Sequence, residues 1–383
     1  MLCIVGRVSL RRTWWHSPTS GSDAPLDAWI MADGANVTLG VREMACRLNN
    51  DAASFAKAAD NLARTAQIEM GVEPLRQLVE AEGRRVLEAQ RTRAIPPAFT
   101  AADCQVPDQP DQTRMYAGAD GVMVPLVTDA EKRKRRETTL EKRRAREAAG
   151  RKLNPLPPRR AGSDLPYKEF KTITFYDQAN EHRHIVLSRT KRTSVGTLLK
   201  REAARLKFDQ ADERIGVVDG ASWIPPQFEQ AALRLDGLGL DFYHLSENVH
   251  RCRRATFGEN STAGTAWADA LLHTFKHDGY EAAREQLLAW RTTLRGKKRA
   301  AADRLLNYVV ERRDMINYPE FAAHGWHIGS GPTEARCKTS TSRLKRSGQR
   351  WNGPHAEAVA TLTNLRDSNQ WHLYWTNLPA AKT

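Results

Sequence analysis

Three acidic residues occupy settings in which a carboxylate can do chemistry. Asp219 follows Ile215, Val217 and Val218 and precedes Gly220. A short β-branched run closed by Asp-Gly predicts a buried strand with a carboxylate at its C-terminal edge, where open α/β sheets present their ligand groups. Asp120 lies in AGADGVMV, a Gly-flanked stretch of strand character, just ahead of Val122. Glu334 lies in GSGPTEARCK, three residues after Gly331, at the start of a predicted helix. Taken singly, each has a plain explanation: a strand-end Asp caps a turn, and an acid in a first helical turn is favoured by the macrodipole. Taken in order, on an early strand, a later strand and a helix beyond, they form a set of hard oxygen ligands. Such a set suits two divalent ions, Mg²⁺ or Mn²⁺, which activate an attacking water or 3′-hydroxyl and stabilise the leaving oxygen in phosphoryl transfer.

The elements that must bring these acids together can be read from periodicity. Residues 1–36 form an irregular lead-in, with Trp14, Trp15, Gly21 and Pro25 but no helical or alternating pattern. Residues 37–94 read as helical, with Phe55, Ala58, Ala59, Leu62 and Ala66 on one face and Leu75, Leu78, Val79 and Val86 on another. The turn QIEMG separates two helices, and Pro74 suits the first turn of the second. This pattern fits a helix-turn-helix, with Arg84, Arg85, Arg91 and Arg93 toward phosphates, and equally fits a plain helical hairpin with a solvated end.

After the proline-containing stretch 95–111, the pattern becomes strand-like. YAGADGVMVPLV predicts a strand or strand pair, with Pro125 marking an edge or bulge. Residues 131–160 are too charged to bury and predict a surface arm, mobile or extended, whose closing prolines deny it a long helix. It is either a solvated linker or a phosphate-tracking arm. KTITFY and HIVLS predict an antiparallel pair. They are followed by a helix at 193–206, a strand at 214–218, a helix at 226–235 and a strand from about Leu238. The expected fold is therefore a mixed α/β sheet preceded by an all-α region. Its sheet domain starts at 112–249, is interrupted by a helical block at 250–324 and closes at 325–383.

The 59 Lys and Arg against 45 Asp and Glu leave a formal charge of +14, which favours nucleic acid as partner. No run of about 18 apolar residues suits a membrane span. The five cysteines are scattered without zinc-binding spacing and read as reduced thiols, and MLCIVGRVSLRR does not read as a secretory signal, so a cytoplasmic setting is expected.

The segments YAGADGVMVP, VVDGASWI, LDFYHLSENV and GWHIGSGPTEARCK, in this order between Met115 and Trp375, resemble the DDE transposases of ISKra-type insertion sequences. The resemblance implies an RNase H-like catalytic domain with Asp120, Asp219 and Glu334 as acid triad and metal ligands, and a helical insertion before Glu334. It also implies metal-dependent cleavage and strand transfer on double-stranded DNA at element ends and targets, by a homo-oligomer on paired ends in the bacterial cytoplasm at the nucleoid. Asp241 and His244 match a D-x-x-H pattern that similar Mutator-like transposases carry on a strand after the second aspartate, which implies an auxiliary role. The plain alternative for His244 is a hydrogen-bonded strand-edge histidine. Arg343, Lys345, Arg346 and Arg350 follow Glu334 closely and either hold the scissile strand or form a solvated helix face. The lead-in TWWHSPTSGSDAPLD departs from the family pattern in holding no cysteine where a zinc-knuckle-like segment is expected. A transposase-derived DNA-binding protein without cleavage activity is the alternative in another class. A junction resolvase would leave the helical insertion unexplained.

Overall fold

The computed structural model describes residues 1–11, 13–23 and 37–377; residue 12, residues 24–36, with Pro25 and the rest of PLDAWI, and residues 378–383 lie outside them. Within the described lead-in, two small antiparallel hairpins replace the expected irregular chain. They pair β1 (Leu2–Cys3) with β2 (Gly6–Arg7), and β3 (Trp15–Ser17) with β4 (Gly21–Asp23).

The N-terminal helical region has three helices, one more than the hairpin read from the sequence: α1 (Leu39–Asp51), α2 (Phe55–Ala66) and α3 (Val72–Arg91). Ser54 accepts from the Lys57 N–H and so starts α2, and Gln67 ends it in the left-handed conformation. The buried faces, Val41 and Ala45 of α1, Leu62 of α2 and Leu75, Val79 and Val86 of α3, share one apolar core. Arg42 and Glu82, both buried, are ion-paired at 2.7 Å within it.

The main sheet comprises β5 (Gln105–Val106), β6 (Gln109–Pro125), β7 (Tyr167–Asp177), β8 (Arg183–Ser188), β9 (Glu213–Val218) and β10 (Gly237–Leu240). The order is β10-β9-β6-β7-β8, with β5 on β6. β7 is antiparallel to both of its neighbours, β6 and β8, whereas β9 and β10 run parallel to β6. The fold is thus mixed α/β. Pro125 is the last residue of β6, paired with Tyr167 at the end of the ladder, so the pairing that precedes it is uninterrupted.

Between β6 and β7 the basic segment forms α4 (Asp129–Ala148), with no buried residue, and then an extended return. Thr128 and Glu131 make a capping box that starts the helix. The prolines Pro155, Pro157 and Pro158 fall after the helix, so they do not shorten it as expected. The returning chain is tied back by Arg143 donating to the Asn154 carbonyl at 2.5 Å, Arg136 to Pro157 at 2.5 Å and Lys132 to Ala161 at 2.7 Å.

The sheet strands are joined by α5 (Val195–Arg205) and α6 (Pro225–Ala231). The helical block expected at 250–324 starts earlier, with α7 (Phe242–Phe257), and continues through α8 (Thr262–His277), α9 (Tyr280–Thr292), α10 (Gly296–Val310) and α11 (Tyr318–Ala323). The chain closes with α12 (Gly331–Ser342), α13 (Gly353–Asp367) and α14 (Trp371–Thr376).

Period-two alternation divides β6 between two cores. Met115, Ala117 and Ala119 face α5, α6 and the insertion, whereas Val122 and Val124 face the N- and C-terminal helices. On that second face α3 crosses α13 at Gly83, where a Cβ would stand 2.2 Å from the Ala358 carbonyl oxygen.

Candidate active site

Each candidate acid is positioned by a short local device. Asp120 lies within β6, opposite Thr172 of β7, rather than at a strand end. β6 and β9 pair in parallel from Arg114 with Glu213 to Ala117 with Gly216, and continuing that register sets Asp219 level with Asp120. Asp219 leaves the end of β9 through Gly220, whose φ of +81° only glycine adopts without strain. Its Oδ1 accepts from the Ala221 N–H at 2.8 Å, and the Gly220 carbonyl accepts from Arg312 Nε at 2.8 Å, so the insertion braces this turn.

Glu334 is in the first turn of α12, which lies on β6 and β7. The seat is Gly118: a Cβ there would stand 2.0 Å from Thr333 Oγ1. With hydrogen in its place, Thr333 Oγ1 and Thr174 Oγ1 meet at 2.7 Å in the buried interface, and the neighbouring Glu334 is brought over the strand that carries Asp120. Cys337, three residues along the same helix face, stands against Asp120.

Asp241 and His244 correct the sequence expectation. Neither is on a strand: Asp241 is the N-cap of α7, accepting from the His244 N–H at 2.9 Å, and His244 is in the first helical turn. Asp241 is buried and also accepts from Ser330 Oγ at 2.6 Å and from the Ser330 N–H, which ties the start of α7 to the loop before α12. His244 Nδ1 lies 3.4 Å from Asp241 Oδ1 and 3.4 Å from Glu334 Oε1, a Coulombic pairing with both carboxylates and a directed hydrogen bond to neither.

The electrostatics tie the acids together. Burial pushes the Asp120 carboxyl up, the Cys337 thiol opposes, and the charges of Asp219 and Glu334 push it up further. His244 is raised to about 9, first by Asp241 and against its own burial, with Glu334 and Asp219 adding to the effect. Asp241 is held at about 2: burial works against its charge, but His244 and Ser330 outweigh it. The charges of Asp219 and Glu334 thus reach Asp120, and His244 stands beside Asp241 and Glu334.

Among the described residues, the ligand atoms of Asp241, His244 and Glu334 all lie within 4.8 Å of one another. Asp120 and Asp219 stand outside that tight group, so only Glu334 of the three expected ligands belongs to it. Asp120, Asp219 and Glu334 offer oxygen donors of the type that a hard divalent cation takes. His244 and Asp241 would flank it.

The expected basic strand-holding face is divided. Arg343 is 2% exposed, with its guanidinium over the rings of Phe55 and Trp351 at 4.8 and 5.2 Å, and it donates to Gln349 at 2.6 Å. It belongs to the junction with α2 and cannot meet a phosphate. Arg350 lies 3.3 Å from Glu131, while Lys345 and Arg346 are exposed. Sequence reasoning missed Gly118, Ser330 and Cys337. The i, i+3 spacing of Glu334 and Cys337 was the available signal for the last. Trp223 borders the core, with Lys171 and Arg192 over its ring at 5.6 and 5.9 Å.

No protein-family model matches this chain, and no curated protein matches it either.

Proposed function

We propose that the chain is an RNase H-like, three-carboxylate phosphoryl transferase acting on DNA, of the kind found in ISKra-type insertion-sequence transposases. The observation that carries the reading is placement: the β6–β9 register sets Asp219 level with Asp120, and the seat of α12 against Gly118 and Thr174 brings Glu334 over the same strand. Support also comes from the strand order, three antiparallel strands followed by two parallel ones on the other side of the first, with an acid on the first and at the end of the fourth. The formal charge of +14 favours DNA as substrate.

A bound Mg²⁺ or Mn²⁺ pair would supply Lewis-acid activation of the attacking oxygen and neutralise charge on the leaving one. Asp120, Asp219 and Glu334 would hold it. Asp241 fixes the start of α7 against the Ser330 loop and so sets His244 beside Glu334. His244, cationic at neutral pH, offsets part of the carboxylate charge and can meet an anionic phosphate oxygen. The insertion keeps the Asp219 turn in place through Arg312. Action as a homo-oligomer on paired DNA ends, in the bacterial cytoplasm, belongs to the same proposal.

The test is incubation of the purified protein with end-labelled duplexes spanning the DNA that flanks its own coding sequence. Metal-dependent nicks at a defined position, leaving 3′-hydroxyl ends, are expected. Tight DNA binding with no nick in either Mg²⁺ or Mn²⁺ would favour the non-cleaving alternative.

A further inference from the structure

A cavity of about 300 Å³ opens at the root of the basic arm, beside the end of β6 and the start of β7. Four elements deliver positive groups to it: Lys132 from α4, Arg160 from the returning chain, Lys168 from β7 and Arg189 just past β8. Asn352, Gly353, Pro354 and His355 bring the first turn of α13 to the cavity; Asn352 supplies no side-chain cap to that turn, and Pro354 has no N–H, which leaves those of Gly353 and His355. A helix N-terminus with unclaimed N–H groups favours an anion.

The charge balance of the cavity points the same way. Glu169, the acid in its lining, is already engaged by Lys171 and Arg192, both at 2.8 Å. Arg189 is paired with Glu357 at 2.9 Å, and Lys168 with the exposed Asp164 at 2.5 Å, a pair that water weakens. Arg160 has no ion-pair partner among the described residues. Burial lowers the Lys132 ammonium, and beyond the opposing pull of Asp129 the repulsion of Arg160, Arg135 and Arg159 lowers it further. Cations have been gathered here in excess of the anions available to them.

We propose that this cavity binds a backbone phosphate of duplex DNA. Lys168 is four residues from Thr172, the partner of Asp120, which sets the cavity roughly 13 Å from the acid cluster along β7. A strand seated in the cavity would thus reach the acids within a few nucleotides. The assignment rests on the reading of the chain as a DNA-processing protein.

The test is fluorescence anisotropy with a labelled duplex in EDTA, so that cleavage plays no part. Arg160→Ala/Lys168→Ala should weaken binding about tenfold and flatten the log–log salt dependence by roughly 1 to 2. Both side chains are exposed, and an unchanged melting temperature will establish that the variant folds. Arg144→Ala/Arg146→Ala, equal in charge and nearer the far end of α4, should change the affinity less than about threefold. Equal losses from the two pairs, or no loss from the first, would overturn the proposal. A stabilising effect of inorganic phosphate that needs Arg160 and Lys168, without any change in duplex affinity, would assign the cavity to a free anion and also overturn it. If wild-type protein cuts no DNA with Mg²⁺ while the anisotropy result stands, the phosphoryl-transfer reading fails and the phosphate site survives.

Discussion

Arg343 illustrates how a charge placed by sequence on a binding face can instead be consumed by packing. Its guanidinium is sandwiched by Phe55 and Trp351 and anchored by Gln349, and burial together with the nearby Arg346 lowers it to about 10. Arg343→Ala should therefore cost about 2–4 kcal/mol of stability, from lost cation–π contacts and orphaned acceptors, as read by chemical denaturation. Lys345→Ala/Arg346→Ala should leave the denaturation midpoint in place. A midpoint unmoved by Arg343→Ala would contradict the packing role. At Asp219 and Glu334 the sequence was informative because the signals were local: a β-branched run ending in Asp-Gly, and an acid opening a helix. At Asp241 the signal was ambiguous, because Gly-Leu-Gly-Leu-Asp suits a strand, and only the Asp241 contacts with the His244 N–H and Ser330 turn the chain into a helix there.

Between elements, two close contacts decide how the layers meet. Gly83→Val should force α3 away from the Ala358 backbone and destabilise the protein by about 2 kcal/mol or more, measured by thermal or denaturant unfolding. A neutral result would mean that the helices separate freely. On the other face, α5 is fixed to β8 by Glu202 and His184, buried and 2.9 Å apart, with Arg201 and Arg205 beside the carboxylate. Burial pushes Glu202 up, but His184 and the two arginines outweigh it and hold the carboxyl at about 2. A carboxyl depressed on folding stabilises the protein above its unfolded value of about 4.3, and that contribution disappears as pH falls toward 2. The difference amounts to about 3 kcal/mol, so Glu202→Gln should flatten the stability profile between pH 5 and 2. A profile unchanged by the substitution would remove Glu202 from the account. The sheet strands and insertion helices were legible because their periodicity is strong. The arm was only partly so: its charge marked it as exposed, but the hydrogen bonds that fold its return along α4 join residues far apart in sequence.

For the whole molecule, the proposed function gives the excess of positive charge and the three acids separate parts to play. The charge should give binding that is steeply salt-dependent, each neutralised phosphate adding roughly 0.9 to the log–log slope, and a flat response between 50 and 200 mM salt would exclude a phosphate-tracking surface. The acid cluster should contribute chemistry without being needed for affinity. The most direct measurement is a side-by-side comparison of wild type and Asp219→Asn, scoring strand nicking in Mg²⁺ and duplex affinity in EDTA on the same flanking DNA. The account predicts that wild type nicks the duplex, that Asp219→Asn loses cleavage to below detection, and that both bind it with the same affinity. An Asp219→Asn variant that still cuts would contradict the convergence of Asp120, Asp219 and Glu334 on one metal-dependent reaction.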